Sequence, residues 1–334
     1  MKEADYYEKS INNTVICKLC PNKCVIKDGG IGRCRVRENI AGKLYTTAYG
    51  KVSALNLDPI EKKPFYHFFP GKKILTIGSY GCNLSCIYCQ NYHISQQSGK
   101  NSYYLEISVD DIVEKCKLIK NNIGIAFSYN EPTVFFEYMR DIAIKVKDAG
   151  MKTTMITNGY IEEKPFKESF EFIDAYSIDL KGFNENFYRD ICNGKLEPVK
   201  NTIAAAAKEG KHIEIENLVI PEKDRNYFEF EEMCKWLVLN CGKDIPLHIN
   251  RYYPAYKMSE PPVEIEILEK LREIGKRYLN YVYIGNISSL IYSKTACPVC
   301  GMESIIRTGY EAAINGCNSE GKCMACNKKI FINK

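Results

Sequence analysis

Long hydrophobic runs, targeting features and a strong excess of charge of either sign are all lacking in this sequence of 334 residues. No apolar run approaches the roughly 20 residues that a transmembrane helix needs. The first ten residues, MKEADYYEKS, have no apolar segment of the kind found in a secretory signal peptide. The net charge is +5, too small at this length to indicate nucleic-acid or membrane binding by itself. We therefore expect a soluble cytoplasmic protein with no membrane partner.

Cysteine, by contrast, is abundant, with 16 residues. In a chain without a signal peptide, C-x-x-C groupings indicate metal ligands rather than disulfides. The N-terminal group is Cys17, Cys20, Cys24 and Cys34. The central group is Cys82, Cys86 and Cys89, and the C-terminal group is Cys297, Cys300, Cys317, Cys323 and Cys326. The remaining four we interpret as buried, hydrophobe-like side chains: Cys116, Cys192, Cys234 and Cys241.

The middle of the chain alternates short β-like segments, such as KKILTIGSY (72–80), with longer helical patterns, such as VFFEYMRDIAIKVKDAG (134–150). This alternation indicates βαβ units and a parallel sheet in an α/β protein. The number of units favours a parallel (β/α) barrel, complete or partial, over a doubly wound sheet. We divide the chain into an N-terminal four-cysteine metal-binding module (1–70), the barrel (71–290) and a small C-terminal module (291–334).

The segment GCNLSCIYCQN (81–91) places three cysteines, spaced C-x3-C-x2-C, directly after a predicted strand. In a barrel, this is the end where catalytic residues gather. A [4Fe–4S] cluster takes one thiolate per iron, so three cysteines leave one iron with an open coordination position, where metal chemistry occurs. The structural alternative is a four-coordinate zinc site, completed by His93 or by a distant cysteine.

The cysteine spacing resembles the signature of the radical S-adenosylmethionine (radical SAM) superfamily. Several further segments resemble one branch of it, the radical SAM enzyme of the AmmeMemoRadiSam system, which is related to pyruvate formate-lyase activating enzymes. They are CKLCPNKCVIKDGGIGRCRVR (17–37), DPIEKKPFYHFFPG (58–71), SYNEPT (128–133), SIDLKGF (177–183), PLHINRYYPAYKM (246–258) and YVYIGN (281–286). The resemblance implies an oxidoreductase-like enzyme that works without oxygen. Its [4Fe–4S] cluster would reductively cleave SAM to a 5′-deoxyadenosyl radical, which abstracts hydrogen from an unidentified substrate.

The resemblance also implies a set of cosubstrate-binding residues: Tyr88, Ser128, Asn130, Glu131, Thr157, Asn158, Asp179 and Lys181. Tyr88 would pack on the adenine ring, and Glu131 would accept hydrogen bonds from the ammonium group. Thr157 and Asn158 would offer neutral hydrogen bonds to the ribose or the carboxylate.

Charged residues at later strand ends complete the predicted site. Lys181 would meet the carboxylate of SAM, with Asp179 orienting that lysine or binding ribose. His248 would contact the adenosyl group or carry a proton, and we count it with the three central cysteines as catalytic. Each has a structural alternative: Glu131 as a helix N-terminal acid, Asp179–Lys181 as a structural ion pair, Tyr88 as a core aromatic and His248 as a satisfied core histidine.

The two outer cysteine groups have spacings typical of closed metal sites. The N-terminal spacing C-x2-C-x3-C-x9-C supplies four thiols, which suit either zinc or a second iron–sulfur cluster. In the C-terminal module, Cys297 and Cys300 are separated by 22 residues from Cys323 and Cys326. Paired knuckles at this separation resemble a zinc ribbon, although an iron–sulfur site is also compatible with four thiols.

The resemblance extends to partners and to competing functions. It implies a reductant such as flavodoxin or ferredoxin, a protein substrate if the enzyme is an activase for a backbone glycine, and association with Memo-like and AMMECR-type proteins. One alternative is an enzyme that modifies RNA or a protein side chain. Another is a non-catalytic metal-binding scaffold. We do not expect nucleic acid as the direct substrate, because the basic residues of the C-terminal module are few and are not interleaved with aromatics.

Overall fold

The computed structural model describes residues 1–99, 103–221, 227–287 and 291–333. Seven short strands form most of the N-terminal part: β1 (Lys2–Glu3), β2 (Tyr7–Lys9), β3 (Val15–Cys17), β4 (Val25–Ile26), β5 (Arg37–Ile40), β6 (Lys43–Thr46) and β7 (Lys51–Val52). Six of these strands make two antiparallel sheets, in the orders β1-β6-β5 and β2-β3-β4. Each strand is only two to four residues long, so these sheets give little independent stability.

The next nine strands are β8 (Ala54–Pro59), β9 (Lys73–Gly78), β10 (Leu105–Glu106), β11 (Asn122–Phe127), β12 (Lys152–Thr157), β13 (Ala175–Asp179), β14 (His212–Val219), β15 (Leu247–Arg251) and β16 (Val282–Gly285). All except β10, which pairs with β7, form one sheet in the order β16-β15-β14-β13-β12-β11-β9-β8. β8 is antiparallel to β9, and all other neighbours are parallel. Among the described residues no ladder joins β8 to β16, so the predicted barrel is confirmed as a partial one.

In the described ranges, eight α-helices accompany the strands: α1 (Tyr92–Ser95), α2 (Val109–Leu118), α3 (Phe136–Asp148), α4 (Glu163–Ser169), α5 (Glu185–Phe187), α6 (Leu196–Lys208), α7 (Tyr227–Cys241) and α8 (Ile265–Lys276). Local sequence sets several of their ends. Ser108 and Asp111 form a capping box at the start of α2. Shortly after α3, Gly150 has φ of +75°, a left-handed conformation that glycine adopts without strain. No helix in the described ranges is long and apolar enough to cross a membrane.

The two faces of the large sheet carry different residues, because side chains alternate along each strand. One face, with Leu75, Ile125 and similar residues, packs against the helices in the main core. The opposite face, with Ile74 and Ala126, packs against residues 60–69 and is called the inner face below. The strand β8 precedes the predicted boundary at residue 70 but lies in the large sheet. The division of the chain into three modules therefore stays a prediction.

The C-terminal module adds three strands, β17 (Thr295–Ala296), β18 (Glu303–Thr308) and β19 (Glu311–Ile314), in one antiparallel sheet. It is attached to the segment 60–69. The backbone N–H of Phe69 donates to the carbonyl of Ile332, and the N–H of Ile332 donates to the carbonyl of His67, both at 2.8 Å. The guanidinium of Arg307 stacks 3.9 Å from the ring centroid of Tyr66 and donates to the carbonyl of that residue. The module is thus fixed to the chain segment that packs on the inner sheet face.

Candidate active site

The three central cysteines follow β9 on one loop, and their thiols are not in disulfides. The Sγ of Cys82 accepts hydrogen bonds from the backbone N–H of Leu84 at 3.4 Å and from the side-chain amide of Asn158 at 3.6 Å. The Sγ of Cys89 lies 3.2 Å from the hydroxyl oxygen of Ser95. Hydrogen-bond donors around sulfur favour the thiolate, which is the form that binds metal, although burial outweighs them here and raises the pKa values of Cys82 and Cys89. The loop therefore offers three metal-binding groups within a short span.

Polar side chains and one glycine hold this loop in place. Asn130 accepts from the backbone N–H of Ser79 at 2.8 Å and donates to the carbonyl of Gly81 at 3.0 Å. Asn83 donates to the carbonyl of Tyr160 at 2.6 Å. Gly81 has φ of +82°, and a Cβ atom there would lie 2.5 Å from the carbonyl oxygen of Cys34. The loop is thus braced by Asn130, which was predicted to bind SAM, and pressed against the N-terminal module.

A π-helical turn, Tyr188–Cys192, clamps the other side of the loop. The backbone N–H groups of Ser85 and Ile87 donate to carbonyls of this turn, at 3.0 and 3.1 Å. Inside the turn, the Sγ of Cys192 lies 3.7 Å from the hydroxyl of Tyr88, and a hydrogen bond with Cys192 lowers the pKa of Cys86. π-helical turns occur frequently at functional sites.

Sequence patterns did not indicate that Cys192 would lie beside the central cysteines. We interpreted it as an isolated buried thiol, and it is buried, but its neighbours belong to the cysteine loop. The one local signal was the dipeptide Asn193–Gly194. This pair predicts a turn, but it does not predict that the turn packs against the cysteine loop. The packing is close, because a Cβ on Gly194 would lie 2.5 Å from a methyl group of Leu84.

The carboxylate of Glu131 is buried and is engaged by neighbouring protein groups. One oxygen accepts from the backbone N–H and the hydroxyl of Thr133 and from the hydroxyl of Thr157, at 3.0, 2.7 and 2.7 Å. The other accepts from the backbone N–H of Asn158 at 2.8 Å. Burial raises the pKa of Glu131. This geometry matches the structural alternative, an acid that caps the short helix Pro132–Phe135, and the contact with the SAM ammonium stays a prediction.

The ion pair of Lys181 and Asp179 follows β13, with 2.8 Å between Nζ and Oδ2. The lysine is 14% exposed and the aspartate 34%. Although burial opposes its charge, the carboxylate of Asp179 raises the pKa of Lys181, and the thiols of Cys86 and Cys192 act in the same direction. Lys181 therefore lies in electrostatic reach of the cysteine loop. Ser128 lies after strand β11, two strands from β13 in the sheet, and its backbone N–H donates to the carbonyl of Ile77.

Two buried glutamates on β14, absent from the predicted site, form the inner surroundings of His248. The Nε2 of His248 lies 2.7 Å from Oε2 of Glu214 and 3.8 Å from Oε1 of Glu216. Burial raises the pKa of Glu214, but hydrogen bonds from His212 and His248 outweigh it and hold that pKa well below its usual value. Burial and the nearby charge of Asp179 raise the pKa of Glu216 well above its usual value.

The inner face thus presents two carboxyl groups, two residues apart, whose pKa values are shifted in opposite directions. Opposite shifts of neighbouring carboxyl groups are typical of acid–base sites. A signal was present in the segment HIEIENLV (212–219), where charged residues alternate with apolar ones along the strand β14. Within the described ranges, the side-chain hydrogen bond of His248 goes to Glu214 on this inner face, and not to the three central cysteines.

The C-terminal cysteines form a compact group. Within the part of the chain that the structure describes, only Cys297, Cys300, Cys323 and Cys326 bring all their ligand atoms within 4.8 Å of one another. Among the described residues, Cys82, Cys86, Cys89 and His93 form no such group, and the zinc alternative for the central loop, completed by His93 or by a distant cysteine, stays a prediction. The N-terminal cysteines instead line a common cavity with Arg37 and Asn83.

Comparisons with known proteins give the family. The model of the radical SAM superfamily matches residues 76–237. An uncharacterized protein of Methanocaldococcus jannaschii is 41% identical over 335 residues, which cover 99% of each chain. A protein of the same organism, named as a putative glycyl-radical enzyme activating enzyme, is 29% identical over 219 residues, covering 62% of this chain and 79% of that one.

A solved structure shows the same fold. SuiB of Streptococcus suis, in its structure bound to S-adenosylmethionine, superposes with a TM-score of 0.51 at 16% identity, over 65% of this chain and 51% of SuiB. A radical SAM domain implies a [4Fe–4S] cluster and SAM as cofactors, and the three free thiols on one loop, two of them with hydrogen-bond donors at sulfur, suit such a cluster. The chain belongs to the radical SAM superfamily and is a radical SAM enzyme.

Proposed function

We propose that Cys82, Cys86 and Cys89 bind three irons of a [4Fe–4S] cluster, and that the enzyme abstracts a hydrogen atom from a glycine of a partner protein. When bound, the reduced cluster would supply the electron that cleaves SAM to a 5′-deoxyadenosyl radical. The observation that carries the proposal is the loop itself. It presents three free thiols at the end of β9, and it is braced from both sides by backbone and amide hydrogen bonds.

The residues around the loop would position SAM. We propose that Asn158 orients Cys82 through its amide, and that Thr157 and Glu131 hold Asn158 in place. Binding of the SAM ammonium by Glu131 would exchange one of the internal hydrogen bonds of its carboxylate. Tyr88, buried beside Cys192, would shield the adenine side of the site and exclude water.

The charged groups beyond β13 would complete the binding site for SAM. Lys181 would bind the carboxylate of SAM, with Asp179 fixing its Nζ, and Ser128 and Asn130 would complete the pocket wall. His248 is held by the carboxylate of Glu214. It would therefore keep a fixed orientation in which it can contact the adenosyl group or move a proton.

The partners are proposed from the relatives. Proteins named as activating enzymes, including pyruvate formate-lyase 1-activating enzyme of Escherichia coli, 25% identical over 129 residues, support a protein substrate and a one-electron reductant such as flavodoxin or ferredoxin. Memo-like and AMMECR-type proteins stay proposed partners on resemblance alone. We also propose residues 291–334 as a separate metal module attached to the barrel.

Zinc is the metal we propose for the C-terminal group. The sulfurs of Cys297 and Cys326 lie 3.4 Å apart, and those of Cys300 and Cys323 lie 3.6 Å apart. A tetrahedral zinc ion with Zn–S bonds of about 2.3 Å separates its sulfurs by roughly 3.8 Å. The four thiols therefore stand at the spacing of ligands around a single ion.

The proposal is tested with anaerobically reconstituted full-length protein, SAM and dithionite. We expect 5′-deoxyadenosine to form, and we expect Cys86→Ala to abolish it while leaving zinc in place. With a candidate glycyl-radical partner deuterated at glycine, the label should appear in 5′-deoxyadenosine. Cleavage of SAM by Cys86→Ala at the rate of the unmodified protein would contradict the cluster assignment. Transfer of label from RNA or from a protein side chain instead would contradict the glycine assignment alone.

A further inference from the structure

The four N-terminal cysteines surround one space. Cys17, Cys20, Cys24 and Cys34 line a single cavity, and none of them is in a disulfide. Three of the four are buried, and Cys24 is half-buried. Four free thiols around one enclosed space are the ligand set of a closed metal site, and the count fits either zinc or a four-iron cluster.

The distances between the sulfur atoms distinguish a zinc ion from a four-iron cluster. Thiolates on a single zinc ion stand about 3.8 Å apart, and the C-terminal group shows that spacing at 3.4 and 3.6 Å. In the N-terminal group, all of whose members are described, no three sulfurs lie within 4.8 Å of one another. The same is true of Cys82, Cys86 and Cys89, the three cysteines of the radical SAM loop. In a [4Fe–4S] cluster each thiolate binds a different iron, so its sulfurs stand farther apart than those around one ion.

A buried guanidinium gives independent evidence for an anionic group in the cavity. Arg37 lines the same space and is 1% exposed. Its two terminal nitrogens donate to Glu137 at 2.7 and 2.8 Å, but its Nε–H is buried without a partner. A buried donor without a partner is costly, and a thiolate-bound cluster carries negative charge to which such a donor can bind.

The cavity also borders the catalytic loop. Asn83, which follows Cys82, is part of the cavity lining. Its carbonyl accepts a hydrogen bond from Asn22, between the N-terminal cysteines, at 2.7 Å. On the far side of the loop, Arg33 donates to the carbonyl of Asn193 at 2.8 Å. The N-terminal module therefore contacts both the loop that carries the central cysteines and the turn that clamps this loop, a position suited to one-electron exchange with the catalytic site.

We propose that Cys17, Cys20, Cys24 and Cys34 bind a second [4Fe–4S] cluster, and not zinc, directly beside the radical SAM loop. The cluster is held by four protein thiolates and has no iron open to SAM. This inference does not depend on the substrate proposed above, because it concerns only what the N-terminal thiols bind.

Metal content of the full-length protein tests the proposal. After anaerobic reconstitution with iron, sulfide and zinc, the unmodified protein should hold about eight irons, four per cluster, and one zinc. The variant Cys20→Ser/Cys34→Ser should lose half of the iron and keep its zinc, whereas Cys323→Ser should lose the zinc and keep its iron. The matched control is Cys116→Ser, which removes a buried thiol outside the three groups and should change neither metal.

Electron paramagnetic resonance of the dithionite-reduced protein gives a second readout. Two signals are expected, and SAM should perturb only the one that disappears in Cys86→Ser. The proposal is overturned if the unmodified protein holds four irons and two zinc ions, or if Cys20→Ser/Cys34→Ser loses zinc and no iron. The stoichiometry of the unmodified protein decides between the metals even if that double variant does not fold. Failure of SAM cleavage with eight irons present would count against the proposed function and not against the second cluster.

Discussion

Replacing Glu137 by glutamine would leave the guanidinium of Arg37 buried without its counter-charge. The two side chains are 0% and 1% exposed, and they form two parallel hydrogen bonds at 2.7 and 2.8 Å. Glu137 also accepts from the backbone N–H of Asp5 at 3.0 Å. Breaking a buried pair by removing one partner costs about 3–5 kcal/mol. Because glutamine keeps the volume and one acceptor, we expect Glu137→Gln to lower the free energy of unfolding by about 3 kcal/mol, at the lower end of that range.

A double-mutant cycle separates the charge effect from packing. Replacement of both partners by apolar residues of similar volume is often neutral. The double variant Arg37→Met/Glu137→Leu should therefore be more stable than Arg37→Met alone or Glu137→Leu alone. The measurement is urea unfolding under anaerobic conditions, followed by circular dichroism at 222 nm, on samples of equal metal content. A loss below about 1 kcal/mol for Glu137→Gln would refute the reasoning, because an uncompensated buried charge costs more than that. A double variant as unstable as the sum of the singles would also refute it.

The pH dependence of the free energy of unfolding of Arg37→Met tests whether the remaining carboxylate of Glu137 is destabilising. In the unmodified protein burial raises the pKa of Glu137, but the guanidinium of Arg37 outweighs burial and lowers it. Without Arg37, burial is the dominant influence, so the folded-state pKa of Glu137 rises above its unfolded value. Stability that depends on the protonated form is present at low pH and lost as the pH rises through the raised pKa. Arg37→Met should therefore be more destabilising at pH 8 than at pH 5.

Three further predictions concern the loop and the module attachment. Burial lowers the pKa of His67 from 6.5 to about 4. Between pH 7 and pH 5 the histidine is therefore protonated only in the unfolded state, which should lower the free energy of unfolding by about 2 kcal/mol. In urea unfolding, His67→Gln should remove this loss, whereas His93→Gln, at an exposed site, should keep it. Cys192→Ala should keep the iron that Cys86→Ala loses, because Cys192 holds the loop through its backbone. Iron and sulfide analysis measures this, and equal iron loss in both variants would show that Cys192 is a cluster ligand. Gly81→Ala should lower the iron content without unfolding the sheet, since its added Cβ meets backbone at 2.5 Å, and unchanged iron content would show that the loop tolerates the shift.

Much of the barrel follows from local patterns. The strand predicted over 72–80 is β9 (Lys73–Gly78), and the helix predicted over 134–150 is α3 (Phe136–Asp148). In both cases the apolar residues follow the pattern of one kind of element, a strand or a helix. A turn residue, such as Gly150 after the helix, marks where the element ends. The cysteine loop was found because its spacing is itself a local feature.

The inner surface could not be predicted because its contacts join distant parts of the chain. Glu214 accepts from the backbone N–H of His67, 147 residues away, and from His248, 34 residues away. The hydrogen bond between Ser85 and Cys192 likewise spans the strands and helices between them. Periodicity shows which side of a strand is apolar, but it contains no information about which remote segment covers the polar side.

The same long-range contacts connect the C-terminal module to the inner face of the barrel. The backbone of His67 binds Ile332 on one side and Glu214 on the other, and Glu214 in turn holds Nε2 of His248. A small metal module needs its ion to fold, so loss of the proposed zinc would release the segment 60–69 from its outer support. The orientation of His248 would then depend on the proposed metal site outside the barrel, because Glu214 contacts both His67 and His248. Through this chain of contacts the proposed C-terminal metal site would influence His248, a residue predicted for the active site, from outside the barrel.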